Sequence, residues 1–249
     1  MEDFTGKTVV ITGAAGGLGR ATALAFAERG ADLVLGDINA DSLKDLAASL
    51  RDQGRAVVAC PLDISTRSAC RQLIDAGVDR FGGVDVLCNI AGILAPGRVE
   101  TYTEDRWDSV MSLNLAAPFW LSQAAIPYLL ERNGNIVNVA SSAAFKGQAY
   151  TVPYTASKAA LVQLTRSMAM EFLNKPLRIN AIAPGGMLTG MGADEFPADA
   201  EPELVQRYMP TRPMPQADVV ADLIVYLASD RAANIHGTCI ASDGGVTAG

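Results

Sequence analysis

The stretch YTVPYTASKAALVQLTRSMAME, residues 150–171, sets two tyrosines ahead of one lysine. Tyr154 and Lys158 stand four residues apart, so on a helix both side chains leave one face and their polar ends reach a common point. Tyr150 is eight residues from the lysine, and Pro153 opposes a helix running back to it. Tyr154 is therefore the candidate proton exchanger. A phenol titrates near pH 10 in water and serves as an acid–base group at neutral pH only if its anion is favoured. Lowering it by roughly three units asks for about 4 kcal/mol, within reach of close cations in a partly dry cleft.

A third hydroxyl belongs with this pair. Ser141, in NVASSAAF, follows an apolar strand and precedes Tyr154 by thirteen residues, close enough to polarise a carbonyl or hold an alcohol. Ser142 is its rival, since adjacent side chains leave a strand on opposite sides. Asn114 sits on the otherwise apolar stretch DSVMSLNLAAPFWL, where a polar side chain needs a specific partner. It could hold a water that relays protons from Lys158. No GxSxG turn surrounds either serine, and His236, the single histidine, has no acid in view, which argues against a Ser-His-Asp hydrolase.

The first strand runs straight into TGAAGGLG, with Gly13, Gly17 and Gly19 where a strand turns into a helix. Glycines there clear a path for a pyrophosphate, and the helix N-terminus offers free N–H groups and the positive end of a dipole. A ligand-free tight turn is the competing reading. Asp37, 18 residues after Gly19 at the end of the second strand, argues for a dinucleotide, because its carboxylate can accept from both hydroxyls of an adenosine ribose. The same charge repels a 2′-phosphate, and Ala14, Ala15 and Ile38 bring no cation to offset it, so NAD is expected over NADP; capping of the next helix is the alternative role for Asp37. An oxidised nicotinamide would then be a second cation beside Tyr154, and the chemistry is hydride transfer at a carbinol carbon. Asp63 and CNIAG, residues 88–92, add polar or small groups at strand ends, the edge where open parallel sheets bind ligands.

Seven β-branched runs must position these groups: 8–12, 32–36, 56–60, 84–88, 135–139, 178–182 and 238–242. Helical segments such as 17–29, 41–53, 66–80, 104–131 and 154–174 alternate with them, the pattern of a doubly wound parallel sheet with right-handed crossovers. At 249 residues, 49% of them hydrophobic, one large α/β domain is expected, without internal repeat or linker. The stretch 185–216, proline-rich and acidic, reads as a substrate lid with one short helix. A net charge of −7 opposes nucleic-acid or anionic-lipid binding, and no run of about 18 apolar residues spans a membrane. The acidic N-terminus lacks a signal-peptide pattern, and four scattered cysteines, Cys60, Cys70, Cys88 and Cys239, fit reduced thiols in the cytoplasm with no metal site.

Taken together, TGAAGGLG, Asp37, Asp63, NIAG, Asn114, Ser141, YTASK, NAIAPGGMLT and SDGG resemble, in order, the motifs of the short-chain dehydrogenase/reductases, from about residue 5 to 246. The resemblance implies a Rossmann fold and a catalytic tetrad of Asn114, Ser141, Tyr154 and Lys158, with Tyr154 as acid/base and Lys158 also holding the nicotinamide ribose. It implies cofactor contacts from Gly13, Gly17, Leu18 and Gly19, from Asp37 and Ile38, and from Asp63 and Ile64 near adenine. Asn89, Ala91 and Gly92 follow at the central strand, then Tyr154 and Lys158, then Pro184, Gly185, Met187 and Thr189 at the carboxamide. It also implies a homotetramer built through the helices carrying Asn114 and Tyr154 and through the final strand. The sequence departs from the family pattern at Ile90, at Phe145 and in the acidic chain after Thr189. An NAD-dependent oxidoreductase acting on a secondary alcohol or ketone is the expectation; an NAD-binding sensor without turnover, or a methyl transferase with a similar glycine turn, would leave the Tyr-Lys pair without a task.

Overall fold

The computed structural model describes residues 2–188, 196–210 and 212–248. Seven strands, β1 (Thr8–Thr12), β2 (Asp32–Asp37), β3 (Val57–Pro61), β4 (Val86–Asn89), β5 (Asn135–Val139), β6 (Arg178–Pro184) and β7 (Cys239–Ser242), form one sheet in the order β3-β2-β1-β4-β5-β6-β7. Every pairing is parallel, as in β1–β2 and β4–β5, so all strands end at one edge. The order reverses between β1 and β4, and at that crevice an open α/β sheet receives ligands.

Strand alternation divides the core between two faces. Val9 and Ile11 of β1 pack with Phe26 and Leu46 in one cluster, whereas Val10 joins Leu73, Leu121 and Ile179 in the other. The first face is covered by α1 (Gly17–Glu28), α2 (Ala40–Asp52) and α8 (Ala217–Ala228); the second by α3 (Arg67–Phe81), α5 (Ala117–Glu131) and α6 (Val152–Glu171). Both faces of the five central strands are buried, which is why they read as continuous apolar runs, while the edge strands β3 and β7 are only partly covered.

Two differences from the sequence reading concern the site. The helix expected over 104–131 is two helices, α4 (Glu104–Met111) and α5, joined by a π turn, Ser112–Ala116, with Asn114 at its middle. Periodicity alone does not reveal one extra residue in a turn. Helix α6 begins at Val152 rather than Tyr154, with Pro153 in its first turn, where a proline ring is tolerated; Tyr150 lies outside it with φ of 65°. In the proline-rich stretch one short helix, α7 (Pro202–Gln206), is present among the described residues. No helix among them is long and apolar enough to cross a membrane. All four cysteines are free thiols.

Candidate active site

The nucleotide end is shaped by backbone clearance. Gly13 leaves β1 at φ of 65°, and a Cβ there would stand 2.9 Å from the Ala91 Cα; a Cβ on Gly19 would overlap the Gly13 carbonyl oxygen. The two glycines let the turn close against the β4 exit and let α1 start directly over it. Gly16 and Gly17 are exposed at the N-terminus of α1, while Leu18 is buried beneath. Thr12 ties the neighbouring strand ends together, its Oγ1 accepting from the Ile90 and Ala91 N–H groups at 3.0 and 3.1 Å.

Asp37 accepts from the Ala15 N–H at 2.9 Å and from the Asn39 N–H at 2.8 Å. The cap of α2 is Asn39, whose Oδ1 accepts from the Ser42 N–H, so capping is not the work of Asp37. Each of its carboxylate oxygens keeps a lone pair for a further donor. Ile38 beside it is 74% exposed, unusual for isoleucine and suited to a flat ring system. Asp63 is exposed and turns its Oδ1 to the Ser65 N–H, with Ile64 buried behind it. An exposed helix start, a clash-free glycine turn and a carboxylate with acceptor capacity fit a dinucleotide.

At the exit of β5, the Ser141 hydroxyl stands beside the Tyr154 phenol, near enough to favour its anion, and accepts from the Ala143 N–H at 3.2 Å. Its rival Ser142 is buried in the following 3₁₀ turn. Lys158 is buried; its Nζ donates to the Val139 carbonyl at 2.8 Å and lies 5.8 Å from the centre of the Tyr154 ring. Loss of hydration brings the lysine down to about 8. The phenol of Tyr154 is raised by burial, against a smaller lowering by the Ser141 hydroxyl. The lowered phenol expected from the sequence calls on two cations, the lysine and an oxidised nicotinamide; the lysine nitrogen is directed to the Val139 carbonyl.

Asn114 is fully buried. Its Oδ1 accepts from the Ile93 N–H at 2.9 Å, and its Nδ2 donates to the Ile93 carbonyl at 2.9 Å and to Ser157 Oγ at 3.2 Å. Ser157 in turn donates to the Tyr154 carbonyl at 2.8 Å. The carboxamide thus clamps the β4 exit to the first turn of α6, and a Cβ on Gly92 would stand 3.1 Å from its Oδ1. Asn89 donates to Asn138 Oδ1 at 2.8 Å, and Asn138 donates to Thr165 at 2.9 Å, a buried polar chain across β4, β5 and α6. Thr12, Asn138, Ser157 and Thr165 were not singled out from sequence; their signal was a polar residue at an apolar-patterned position.

Beyond β6, Gly185 donates to the Ser242 carbonyl at 3.1 Å and has no room for a side chain against Asp243, while Met187 packs on the α1/α8 face. Thr189 lies outside the described residues. Tyr150 has no part in the Lys158 cluster; its OH accepts from the Glu201 N–H at 2.9 Å. His236 accepts from the Ile179 N–H through Nδ1, so its Nε2 carries the proton donated to the Ala169 carbonyl, and the ring is spent on backbone. No group of three metal-ligating side chains occurs among the described residues.

Residues 13–247 match the family described as Enoyl-(Acyl carrier protein) reductase. The chain is 35% identical to a 3-oxoacyl-[acyl-carrier-protein] reductase of Thermotoga maritima over 242 residues, covering 97% of this chain and 98% of the relative. A short chain dehydrogenase from Mycobacterium paratuberculosis, solved bound to NAD, superposes with a TM-score of 0.91 at 28% identity, covering 99% and 100% of the two chains. One from Burkholderia cenocepacia J2315, solved in complex with NADP, gives 0.88 at 32%, covering 98% of each. Motif order, sheet order and these end-to-end matches agree that the chain is an oxidoreductase belonging to the short-chain dehydrogenase/reductase family.

Proposed function

We propose that this protein moves a hydride between NAD and the carbinol carbon of a secondary alcohol or ketone, with Tyr154 exchanging the proton on oxygen. The observation that supports it best is the cluster of Tyr154, Lys158 and Ser141 at the C-terminal end of β5, with the lysine nitrogen 5.8 Å from the Tyr154 ring, on the sheet edge where β1 and β2 deliver Gly13 and Asp37. The nicotinamide, when bound, supplies or takes up the hydride. In reduction, Tyr154 gives its proton to the ketone oxygen while Ser141 donates a hydrogen bond to the same atom. In oxidation the phenol must first part with its proton, and the charge of Lys158 assists. Asn114 holds the Ile93 peptide and, through Ser157, the turn carrying Tyr154; a water beside it carries the proton onward from Lys158. The ketone named in the T. maritima relative supports that substrate class.

The two solved relatives carry different dinucleotides, so the choice of NAD rests on Asp37. Asp37→Ala is expected to weaken NAD and to raise the ratio of kcat/KM with NADP to that with NAD by about tenfold or more, the order of one like-charge repulsion. An unchanged ratio would remove Asp37 from the ribose. The reading as a whole is tested by titrating NADH and NADPH by fluorescence and then offering a panel of secondary alcohols with NAD. Tight NADH binding with turnover of one alcohol class is expected; binding without turnover would favour a sensor.

We further place residues 185–216 over the substrate as a lid and the protein in the cytosol. A homotetramer is supported by the hollow on α5 and α6 between Leu115, Phe119, Trp120 and Leu164, an apolar face that a second copy would cover. Sedimentation equilibrium should give four chains, and a monomer would refute it.

A further inference from the structure

The segment from Phe196 to Met209 is tied by polar contacts to the two loops that flank Ser141 and Tyr154. Arg98, in the loop leaving β4, pairs with the Asp199 carboxylate at 2.9 Å and also donates to the Asp199 carbonyl at 3.1 Å. Tyr150 OH accepts from the Glu201 N–H at 2.9 Å, Tyr208 OH donates to the Ala149 carbonyl at 3.2 Å, and Lys146 donates to the Arg207 carbonyl at 3.4 Å. The Arg98 guanidinium lies 5.5 Å over the Tyr150 ring, and the Tyr150 carbonyl accepts from the Gly97 N–H at 2.7 Å. Tyr150 therefore joins three loops four residues before Tyr154. It does so at φ of 65°, a left-handed conformation that a bulky side chain keeps only where its surroundings hold it.

These ties are weak one by one. The Asp199 side chain is 71% exposed, and pairs of that kind are screened by salt and contribute little to stability. Buried apolar packing, the usual means of fixing a segment for good, is scarce here: Met209 is 51% exposed, and Phe145 on the facing loop 45%. A segment held beside a reacting centre by separable polar contacts is built to be displaced.

We propose that Arg98 and Tyr150 are specificity-determining residues acting through this segment, their ties to Asp199 and Glu201 setting how wide the substrate entrance stands. The proposal rests on the dehydrogenase reading above. With the ties closed the entrance admits small ketones, and a bulky substituent enters only when they part.

The test uses the full chain with Arg98→Ala, Asp199→Ala, the double variant and the exchanged pair Arg98→Asp/Asp199→Arg. The substrates are the smallest ketone turned over in the panel and its phenyl-substituted analogue. Each single variant should raise the bulky-to-small ratio of kcat/KM by about threefold, the size an exposed ion pair supports, with the double no higher and the exchanged pair back at the wild-type ratio. Tyr150→Phe should move the ratio the same way, and amide deuterium exchange over 197–208 should quicken in all but the exchanged pair. An unchanged ratio in both single variants, or effects that add in the double, would overturn the proposal while leaving the dehydrogenase reading intact. Absence of turnover in the wild-type protein, with any ketone, would overturn both.

Discussion

Tyr154→Phe should lower kcat by about 10²–10⁴-fold, the range that one positioned proton exchanger contributes, while the NADH dissociation constant stays within about threefold of wild type. The substitution removes one oxygen. It leaves the ring in place beside Lys158 and takes only the hydroxyl away from Ser141, so the fold and the glycine turn are untouched. Tyr150→Phe is the control, because that hydroxyl is engaged with the Glu201 N–H outside the reacting group, and its kcat with a small ketone should remain near wild type. Stopped-flow absorbance of the reduced cofactor separates the outcomes. Comparable losses in both variants would show that the tyrosines act on folding or on loop position, and the acid–base assignment would fall.

Lys158→Met should give a protein that is more stable and nearly inactive. The wild-type side chain is almost wholly buried and its ammonium is held by one carbonyl, with the lysine brought from 10.5 to about 8 by lost hydration. The sign follows from proton counting. Between about pH 8 and 10.5 the unfolded chain carries a proton on this lysine that the folded chain has released, so wild-type stability rises with pH across that window. Below about pH 8 the charge is buried at full cost, and removing it should stabilise the fold by about 2–3 kcal/mol at pH 7. The advantage should shrink to nothing above about pH 10.5, as denaturant melts at pH 7, 9 and 11 would show. Turnover should drop with the charge. In wild type, kcat/KM for ketone reduction should be level below about pH 8 and decline above it as the ammonium is lost. A variant that is less stable at pH 7, or a profile with no break near 8, would contradict the account of Lys158 as a cation held at the expense of stability.

Much of this site was visible in the chain because its parts are local. A phenol and an amine four residues apart on a helix, a glycine turn between strand and helix, and a carboxylate at a strand end each depend on a few neighbouring residues, and the structure places all of them at one edge. What stayed hidden depends on contacts distant in sequence. The carboxamide of Asn114 reaches Ile93 and Ser157, 21 and 43 residues away, and nothing in its own surroundings names those partners. The upward push on the Tyr154 phenol was hidden for the same reason, since it comes from burial that only the packed fold creates, and the Val139 carbonyl that holds Lys158 lies 19 residues upstream. Tyr150 could be separated from the lysine by Pro153, but its union with Glu201 joins segments 51 residues apart.

The π turn at 112–116 has a consequence for how the chain tolerates change in length. One additional residue in a turn rotates all that follows by about 100° relative to an unbroken helix, so α4 and α5 present their buried sides in different phase. Val110 faces the interior before the turn, and Ala117 and Leu121 face it after. Deleting a single residue there would restore a regular helix and set the two halves in competition, since only one could keep its apolar side inward. The carboxamide of Asn114 is the pin through that offset, and the helix carries its grip on the Ile93 peptide and its phase correction in the same five residues.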